Sequence, residues 1–281
     1  SAHPVDYVRP RPYAYMVRRS EFDEFLARRA VAAGAEIREG VRVTGVRVTP
    51  SGVEVSGPGG PYAASVVVGA DGANGTVARS LGLARGMRRG FALEAEVPVP
   101  SPARRGTALI DYGCIPGGYG WVFPKGDHAS VGVGTFVRLR RSLRDYLAEY
   151  LRQVVPGQSL GPANSPPGTA AHPIPLGGQR LRVVAPRALL AGDAAGLVDP
   201  FFGEGIYYAM RSGVLAAAAV LDALERGEPG RLEPYEAALE REIQPDLRVA
   251  RTVGAFFYRA TGFLHRRVVS TMGIQYLPPR Q

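Results

Sequence analysis

The chain has 281 residues, of which 46% are hydrophobic and 21% charged, and it carries a net charge of +9 with an isoelectric point near 10. This composition excludes a disordered chain, and the length is sufficient for one large domain or two interleaved ones. No apolar run in the sequence reaches the roughly 20 residues that a membrane-spanning helix needs.

Cysteine, histidine and lysine usage excludes further classes. The single cysteine, Cys114, cannot form an internal disulfide and favours a reducing, cytoplasmic location. Four scattered histidines give no zinc constellation, so no metal is expected. Lys125 is the only lysine, and the excess of arginine, glycine and proline indicates a compositional bias. Without a DNA-binding motif or a basic helical stripe, no nucleic-acid partner is expected.

The N-terminal segment predicts one clear helix. Residues 1–15 are no signal peptide because they lack an apolar core. A helix is predicted over 18–33, with Ser20 as N-cap, Asp23 in a near capping box and Gly34 at the end.

Strands are predicted after this helix. Alternating apolar and polar residues predict half-buried strands over 37–48 and 53–55. The apolar run at 66–68 is typical of a buried parallel strand, and it ends in Gly-Ala-Asp-Gly at 69–72.

The middle of the chain predicts an antiparallel sheet, because short alternating segments are separated by glycine and proline turns. These segments cover residues 91–97, 107–112, 121–123 and 131–137. An amphipathic helix follows at 143–154, and 161–175 is expected to be an irregular connection.

An aromatic motif lies within this sheet. Strand alternation places Tyr119, Trp121 and Phe123 on one face as an aromatic wall, and Pro124 ends the strand. Such a wall suits a long hydrocarbon, which gains roughly 25 cal/mol per Å² of buried apolar area. Lys125 would supply a flexible point charge near a flavin or a lipid phosphate. The alternative is that the aromatic residues form ordinary core and that the lysine has no role.

A strand–turn–helix organises the following segment. Residues 188–191 predict a buried strand, and Gly192 and Asp193 end it at the sheet edge where ligands usually bind. Pro200 precedes a glycine-opened helix that starts at 203–205 and runs to about residue 224. The free N–H groups of its first turn favour negative charge or an electron-rich ring edge. The alternative is a strand–turn–helix in which the aspartate is only a cap.

The C-terminal segment from residue 248 combines apolar residues at helical spacing with arginines. Two interpretations remain open: the apolar face packs on the cofactor domain, or the segment lies on the inner membrane surface with its arginines toward anionic head groups.

The turn motifs carry a resemblance to a known family. Gly192-Asp193, with Pro200 and the 203–206 segment, resembles the GD motif of FAD-dependent oxidoreductases of the p-hydroxybenzoate hydroxylase type, and residues 69–72 resemble their second flavin motif. In that motif Gly75 replaces the family's serine and Arg79 lies one place late. Arg19 resembles the arginine of the family's R-x-x-F-D helix. The resemblance implies that the aspartate holds the ribitol chain, that the helix start faces the flavin, and that FAD is bound by Arg19, Asp71, Gly72, Gly192, Asp193, Pro200, Gly203, Gly205 and Ile206.

The aromatic motif resembles a narrower group. Tyr119-Gly-Trp-Val-Phe-Pro-Lys125, followed after six residues by Gly132-Val-Gly134, is similar to the signature of geranylgeranyl reductases. This resemblance implies that reduced FAD saturates a prenyl C=C bond of a prenyl diphosphate, a prenylated glycerolipid or a quinone tail. It also implies an external reductant, NADPH or ferredoxin, and substrate contacts from Tyr119, Trp121, Phe123, Pro124 and Lys125. No catalytic acid can be named.

The expected fold is α/β: a doubly wound, three-layer FAD-binding domain interleaved with an antiparallel substrate domain and a C-terminal helical region. A G-x-G-x-x-G unit for the FAD pyrophosphate is not found, so an N-terminally incomplete cofactor domain is expected. The domains are expected at 1–82 with 180–230, at 83–179 and at 231–281. Two alternative functions are an aromatic monooxygenase of the same fold and a non-catalytic lipid-binding remnant.

Overall fold

The computed structural model describes residues 15–98, 107–157, 159–161 and 165–258. The chain forms two compact units, each assembled from separate stretches of sequence. The first unit contains residues 1–38, 90–172 and 257–281, and the second contains 39–89 and 173–256. The expected limits of the cofactor and substrate domains stay a prediction.

The elements are numbered in chain order. The helices are α1 (Arg19–Ala32), α2 (Thr76–Leu81), α3 (Leu143–Val154), α4 (Ile206–Glu225), α5 (Glu233–Glu242) and α6 (Gln244–Phe257). The strands are β1 (Gly45–Val48), β2 (Val53–Ser56), β3 (Tyr62–Ala64), β4 (Val67–Gly69), β5 (Arg89–Pro98), β6 (Leu109–Tyr112), β7 (Gly118–Pro124), β8 (His128–Thr135), β9 (Ala170–Pro175), β10 (Val184–Ala185) and β11 (Ala188–Leu190).

The second unit contains two small sheets. Strands β1, β2 and β3 form an antiparallel meander, and β10, β11 and β4 form the other sheet. Within the latter, β11 pairs with β4 in parallel, so that Leu189 faces Val68 and Leu190 faces Gly69. The expected parallel strand at 66–68 is therefore confirmed.

The core of the second unit forms around β11. Ala188, Leu189 and Leu190 are fully buried, as expected for a short apolar run inside an α/β layer. Helices α4 and α5 contribute to this core, and the buried hydroxyl of Tyr235 in α5 donates to the backbone oxygen of Leu190 at 2.8 Å.

The first unit contains the antiparallel sheet, in the strand order β6-β7-β8-β5-β9. One face carries Leu93, Val122 and Val131, which pack against α3. Helix α3 spans the expected residues, and Ser142 caps it by accepting from the Asp145 N–H at 3.2 Å. The other face carries the aromatic motif, because paired residues lie on the same side of a sheet.

Helix α1 is confirmed, but its expected capping box is wrong. The N-cap is Arg18, which makes no side-chain cap bond, and Ser20 lies inside the helix. The Asp23 carboxylate binds Arg19 at 2.8 Å and is therefore committed to a bond along the helix surface. Gly34 does end the helix, with φ of +98°.

Three other expectations need correction. The strand expected over 37–48 begins only at Gly45, because its partner β2 is four residues long. The connection expected to be irregular contains β9 along the edge of the larger sheet. Val68 is 42% exposed, since α2 packs on the face of β4 that carries Gly69 and Val68 lies on the opposite face.

The C-terminal segment is helical as far as the structure describes it. In α6, Leu247 is buried whereas Val249 and Phe256 are exposed. The arginines at 259, 266 and 267, on which the membrane-surface interpretation depends, lie outside the described residues. Among the described residues no helix is long and apolar enough to span a membrane.

Candidate functional site

Residues that follow the two glycine–aspartate motifs border one cleft in the second unit. Because β4 and β11 are parallel neighbours, the residues that follow each strand emerge at the same sheet edge. A cleft of about 240 Å³ lies there. It is bordered by Ala194 after one motif and by Ala73, Asn74 and Gly75 after the other, together with Arg79 and Arg89.

Both arginines are held against the loop that follows the 69–72 motif. Arg89 donates to the backbone oxygen of Ala73 at 2.8 Å, and Arg79 donates to the backbone oxygen of Asn74 at 3.3 Å and to Thr76 Oγ1 at 3.0 Å. The loop carbonyls thereby orient two guanidinium groups beside the cleft, which is a suitable surround for an anionic group.

The Asp71 carboxylate connects this loop to the start of α2 by a hydrogen bond. Its Oδ2 accepts from the N–H of Val77, in the first turn of α2, at 3.0 Å. A Cβ at residue 75 would lie only 2.2 Å from Asp71 Oδ1, so a larger residue there would displace this carboxylate. Where the family has serine, this chain therefore has Gly75, and the Asp71 carboxylate beside it caps the first turn of α2. Gly72 has φ of +75°, which glycine adopts without strain.

Gly192 and Asp193 begin a short 3₁₀ turn directly after β11. Gly192 has φ of +56°, and its buried N–H donates to Ser212 Oγ of α4 at 2.9 Å. Asp193 is half-buried in the first turn of this segment. The turn and α4 are therefore coupled by one hydrogen bond at the position where the motif changes direction.

The segment 199–206 forms a tight loop before α4. Asp199 Oδ1 accepts from the N–H groups of Phe201 and Phe202 at 2.7 and 2.8 Å, and burial raises the pKa of this carboxyl. Gly203 has φ of +68°, and its N–H donates to the backbone oxygen of Asp199 at 2.9 Å. Pro200 is buried in this loop.

The first turn of α4 is exposed. Gly205 precedes the helix, Ile206 begins it, and the Glu204 carboxylate accepts from the N–H of Tyr207 at 2.8 Å. A Cβ at Gly205 would approach Val198 Cγ2 to 3.2 Å and Asp193 Oδ1 to 3.4 Å. The first turn of α4 and Asp193 therefore lie beside Gly205, where no side chain covers the backbone.

These groups fit a sugar–phosphate cofactor. Asp193 offers carboxylate oxygens for hydroxyl groups, Gly192 and Gly205 allow close approach, and the start of a 20-residue helix offers N–H groups. Asp71 and Gly72 follow β4, and Gly192, Asp193, Pro200, Gly203 and Gly205 lie between its parallel neighbour β11 and α4. Ile206 follows them directly, and the FAD contacts of all eight stay a prediction.

Arg19, the ninth expected residue, belongs to the other compact unit. It lies on α1, where it forms an exposed ion pair with Asp23 at 2.8 Å. Its expected position beside a flavin stays a prediction.

The aromatic motif forms a continuous row in the first unit. The ring centroids of Tyr119 and Trp121 are 5.9 Å apart, and those of Trp121 and Phe123 are 6.1 Å apart with nearly parallel planes. Tyr112 and Phe136 extend the row beyond Tyr119, at 5.8 and 6.4 Å. The rings form the row that strand alternation predicts, but Tyr119 and Trp121 are buried, as ordinary core residues are, so a wall that contacts substrate stays a prediction.

A charged cluster borders the row where β7 ends at Pro124. Lys125 Nζ lies 2.6 Å from Glu96 Oε1, and the lysine side chain is 14% exposed. His128 lies 3.4 Å from the other oxygen of Glu96 and 2.7 Å from Asp127. Lys125 therefore enters a defined ion pair, and any anion that binds it would share it with Glu96.

Several polar residues in these sites were not anticipated from the sequence. Ser212 and Tyr235 fix the end of β11, and Ser130 donates to Glu94 at 2.7 Å beside the aromatic row. The sequence signals that could have identified them were a polar residue in an apolar element: Ser212 in the alanine-rich helix α4 and Glu94 in the apolar strand β5. Their partners depend on strand register and helix rotation, which local patterns do not give.

Among the residues that the structure describes there is neither a metal cluster nor a reactive thiol. No group of three or more histidine, cysteine or acidic residues is placed to hold a metal within the described part of the chain. Burial, aided by the nearby Asp111, raises the pKa of the Cys114 thiol, so it stays protonated and unreactive.

Two family models match the chain. The model of the geranylgeranyl reductase catalytic domain matches residues 107–161, which contain β6, β7, β8 and α3, and therefore the aromatic row. The model of an FAD binding domain matches residues 3–109.

Individual relatives agree with these models. The chain is 32% identical to the chloroplastic geranylgeranyl diphosphate reductase of Oryza sativa subsp. japonica, over 89% of this chain and 58% of the relative. It is 30% identical to digeranylgeranylglycerophospholipid reductase 1 of Methanothermobacter thermautotrophicus, over 83% of this chain and 61% of the relative. The chain therefore spans about three fifths of the length of these relatives.

A solved structure gives the fold. The geranylgeranyl bacteriochlorophyll reductase-like protein of Thermoplasma acidophilum superposes with a TM-score of 0.77 at 24% identity, covering 92% of this chain and 68% of that one. The likeness confirms the expected α/β cofactor-binding fold with its antiparallel sheet. The comparisons do not favour the aromatic monooxygenase or the lipid-binding remnant.

Proposed function

Because this chain belongs to the geranylgeranyl reductase-like FAD oxidoreductases, we propose that the protein containing it saturates prenyl C=C bonds with reduced FAD. The observation that carries the proposal is the aromatic row of Tyr119, Trp121 and Phe123, which lies within the residues matched by the catalytic-domain model.

The residues of this chain supply binding and orientation, and the bound FAD supplies the hydride. Asp193 would hold the ribitol hydroxyls of FAD, and the first turn of α4 would offer N–H groups to the flavin. Tyr119, Trp121 and Phe123 provide an apolar surface that holds a hydrocarbon chain and excludes water, at roughly 25 cal/mol per Å² of buried area.

The substrate is a lipid with a polar end and an unsaturated prenyl chain. The relatives are named for a prenyl diphosphate and for a prenylated glycerophospholipid, and a quinone tail presents the same kind of chain. Lys125 favours a phosphate-bearing substrate, because its ammonium group lies beside the end of the aromatic row. NADPH or ferredoxin reduces the flavin.

The protein meets its substrate at the inner surface of a membrane. The high positive charge and the exposed Val249 and Phe256 of α6 support contact with anionic lipids. Co-sedimentation of the full protein with anionic vesicles tests this contact. We expect binding that falls with salt and is weakened by Phe256→Ser, whereas Phe25→Ser in α1 leaves it unchanged. Binding that is indifferent to salt would contradict membrane docking.

The reaction is tested by mass spectrometry of the lipid. The full protein, purified with FAD and chemically reduced, is incubated with geranylgeranyl diphosphate or with digeranylgeranylglycerophospholipid. Each saturated bond adds the mass of two hydrogen atoms. NADPH oxidation that yields peroxide and a hydroxylated aromatic product, without prenyl saturation, would instead favour the monooxygenase.

Substitutions on the two faces of the sheet separate substrate binding from folding. Trp121→Ala should lower lipid turnover far more than flavin content. Phe91→Ala removes an exposed aromatic side chain from the opposite face of the same sheet and should change neither. Equal loss of turnover and flavin in Trp121→Ala would show that the row is ordinary core.

A further inference from the structure

A hydrogen-bond chain crosses four neighbouring strands beside the aromatic row. The indole Nε1–H of Trp121 donates to Ser130 Oγ at 3.1 Å, and the Ser130 hydroxyl donates to Glu94 Oε2 at 2.7 Å. The other carboxylate oxygen of Glu94 lies 3.1 Å from His172 Nε2. Strands β7, β8, β5 and β9 are thereby linked through side chains as well as backbone.

The chemistry of the groups fixes the direction of each bond. An indole N–H can only donate, and a carboxylate can only accept. Ser130, which is 2% exposed, therefore donates its hydroxyl hydrogen bond to Glu94 and accepts one from Trp121. The hydrogen bond from His172 lowers the pKa of Glu94 more than burial raises it, which keeps Glu94 an ionised acceptor.

Gly132 fixes the other side of the indole ring. It lies directly opposite Trp121 in the ladder, and a Cβ there would be 2.1 Å from Trp121 Cζ2. The ring therefore lies over the backbone of β8, with its polar edge bonded to Ser130. Phe123 stacks beside it, so the Trp121 and Phe123 part of the row presents carbon, whereas Tyr119 and Tyr112 further along the row carry hydroxyl groups.

We propose that Ser130 and Glu94 are positioning residues that hold the Trp121 indole in one orientation and turn its only donor away from the substrate. At Trp121 and Phe123, where no donor then faces the substrate, the row favours a bare hydrocarbon chain over one that carries oxygen, since burying an unpaired polar group costs binding energy. This selectivity rests on the proposed function, whereas the hydrogen-bond chain does not.

The hydrogen-bond chain is tested by NMR on the full protein labelled with ¹⁵N at the indole nitrogen. Trp121→Phe assigns the resonance. In Ser130→Ala we expect the Trp121 indole proton to move upfield and to exchange faster with solvent by roughly fivefold, the value of one hydrogen bond. Glu94→Gln retains an acceptor and should rescue most of the wild-type position, whereas Glu94→Ala should not. Ser142→Ala, which removes the cap of α3, is the matched control.

The selectivity is tested with geranylgeranyl diphosphate and an analogue that carries an ether oxygen within the prenyl chain. In Ser130→Ala the preference for the hydrocarbon should fall roughly fivefold, through KM and not kcat. An unchanged indole resonance in Ser130→Ala would overturn the hydrogen-bond chain, and a shifted resonance with unchanged selectivity would overturn its role in specificity. Failure of the wild-type protein to reduce any prenyl lipid would contradict the proposed function, while the indole measurement would still decide the positioning.

Discussion

At the scale of single residues, Gly132 and Gly134 occupy equivalent places in the G-x-G part of the motif but have different surroundings. A Cβ at Gly132 would collide with the indole of Trp121, whereas a Cβ at Gly134 would meet only ordinary contacts, the nearest at 3.5 Å. The first glycine is therefore needed for the position of Trp121, and the second is sterically free to change.

We expect Gly132→Ala to displace the indole and to lower the free energy of unfolding by about 1–3 kcal/mol, the usual cost of overpacking. Gly134→Ala is the matched control, and it should be neutral or slightly stabilising because alanine has less backbone entropy to lose. Denaturant unfolding and near-ultraviolet circular dichroism measure the two effects. Equal destabilisation by both variants would contradict this account.

Asp193 provides the residue-scale test of the cofactor site. Asp193→Ala in the full protein should weaken FAD binding by about 1.5–3 kcal/mol, a tenfold or greater rise in Kd, because a charged hydrogen-bond partner is lost. Equilibrium dialysis against FAD measures it.

The control for Asp193 must be an aspartate without a structural role. Asp199 is unsuitable because its carboxylate accepts two backbone N–H groups and is buried. Asp222, which pairs with Arg226 on the exposed surface of α4, is suitable. Unchanged FAD affinity in Asp193→Ala would remove this residue from the site.

Asp111 gives the chain a specific pH dependence. Burial raises the pKa of this carboxyl from 3.8 to about 6. Between those two values the unfolded chain loses the proton while the folded chain keeps it, so stability falls as the pH rises from about 4 to 6. The shift corresponds to about 3 kcal/mol at 1.36 kcal/mol per unit.

We expect Asp111→Asn to remove this fall and to raise the free energy of unfolding at pH 7. Urea unfolding from pH 4 to pH 7 measures it, with Asp222→Asn as the exposed control. The contribution of Asp111 is the difference between the pH profiles of the wild-type protein and of Asp111→Asn. If the two profiles are parallel from pH 4 to pH 7, the assignment is contradicted.

At the scale of elements, the bond from Gly192 to Ser212 ties the turn after β11 to α4. Both groups are buried, and the Ser212 hydroxyl donates a hydrogen bond to the backbone oxygen of Ala209 at 3.0 Å. This bond and the one from Tyr235 to Leu190 hold the end of β11 against α4 and α5. The geometry of the glycine–aspartate turn therefore depends on two helices that follow it in sequence.

Ser212→Ala should lower the free energy of unfolding by about 1–3 kcal/mol, because it leaves the buried Gly192 N–H without its acceptor. Thermal and urea unfolding of the full protein measure the loss. Ser51→Ala, on an exposed turn of the same unit, should have little effect. A variant with wild-type stability would show that the bond contributes nothing net.

Elements that are determined by neighbouring residues in the sequence were predicted well, and elements that need a distant partner strand were not. Helix α3 and the antiparallel strands were predicted closely because periodicity alone determines which face is buried. The same reasoning failed at 37–44, where a strand would need a partner longer than β2. It also missed β9, which exists because the edge of β5 is open to it.

The same distinction holds for the candidate site. Gly192, Asp193 and the 69–72 motif were identified because each is contiguous in sequence. Ser130, Glu94 and Ser212 were not, since their roles depend on partners 20 or more residues away. The capping box at Ser20 was wrong because α1 already begins at Arg19, which places Ser20 inside the helix.

At the scale of the whole molecule, each compact unit is discontinuous in sequence. The two glycine–aspartate motifs are separated by the antiparallel sheet, so an insertion within residues 90–172 changes the first unit and leaves the residues that border the cleft, 73–89 and Ala194, unchanged. This arrangement lets the aromatic face vary while the glycine–aspartate turns stay unchanged.

The parallel pairing of β4 with β11 has a consequence for synthesis on the ribosome. β4 ends at Gly69 and its only partner among the described residues begins at Ala188, so about 120 residues must be translated before the pair can form. At about 5–20 residues per second this takes roughly 6–24 s, far longer than helix or hairpin formation. During that interval the Val66–Val68 segment is an unpaired apolar strand in the nascent chain, which is a substrate for chaperones and for aggregation.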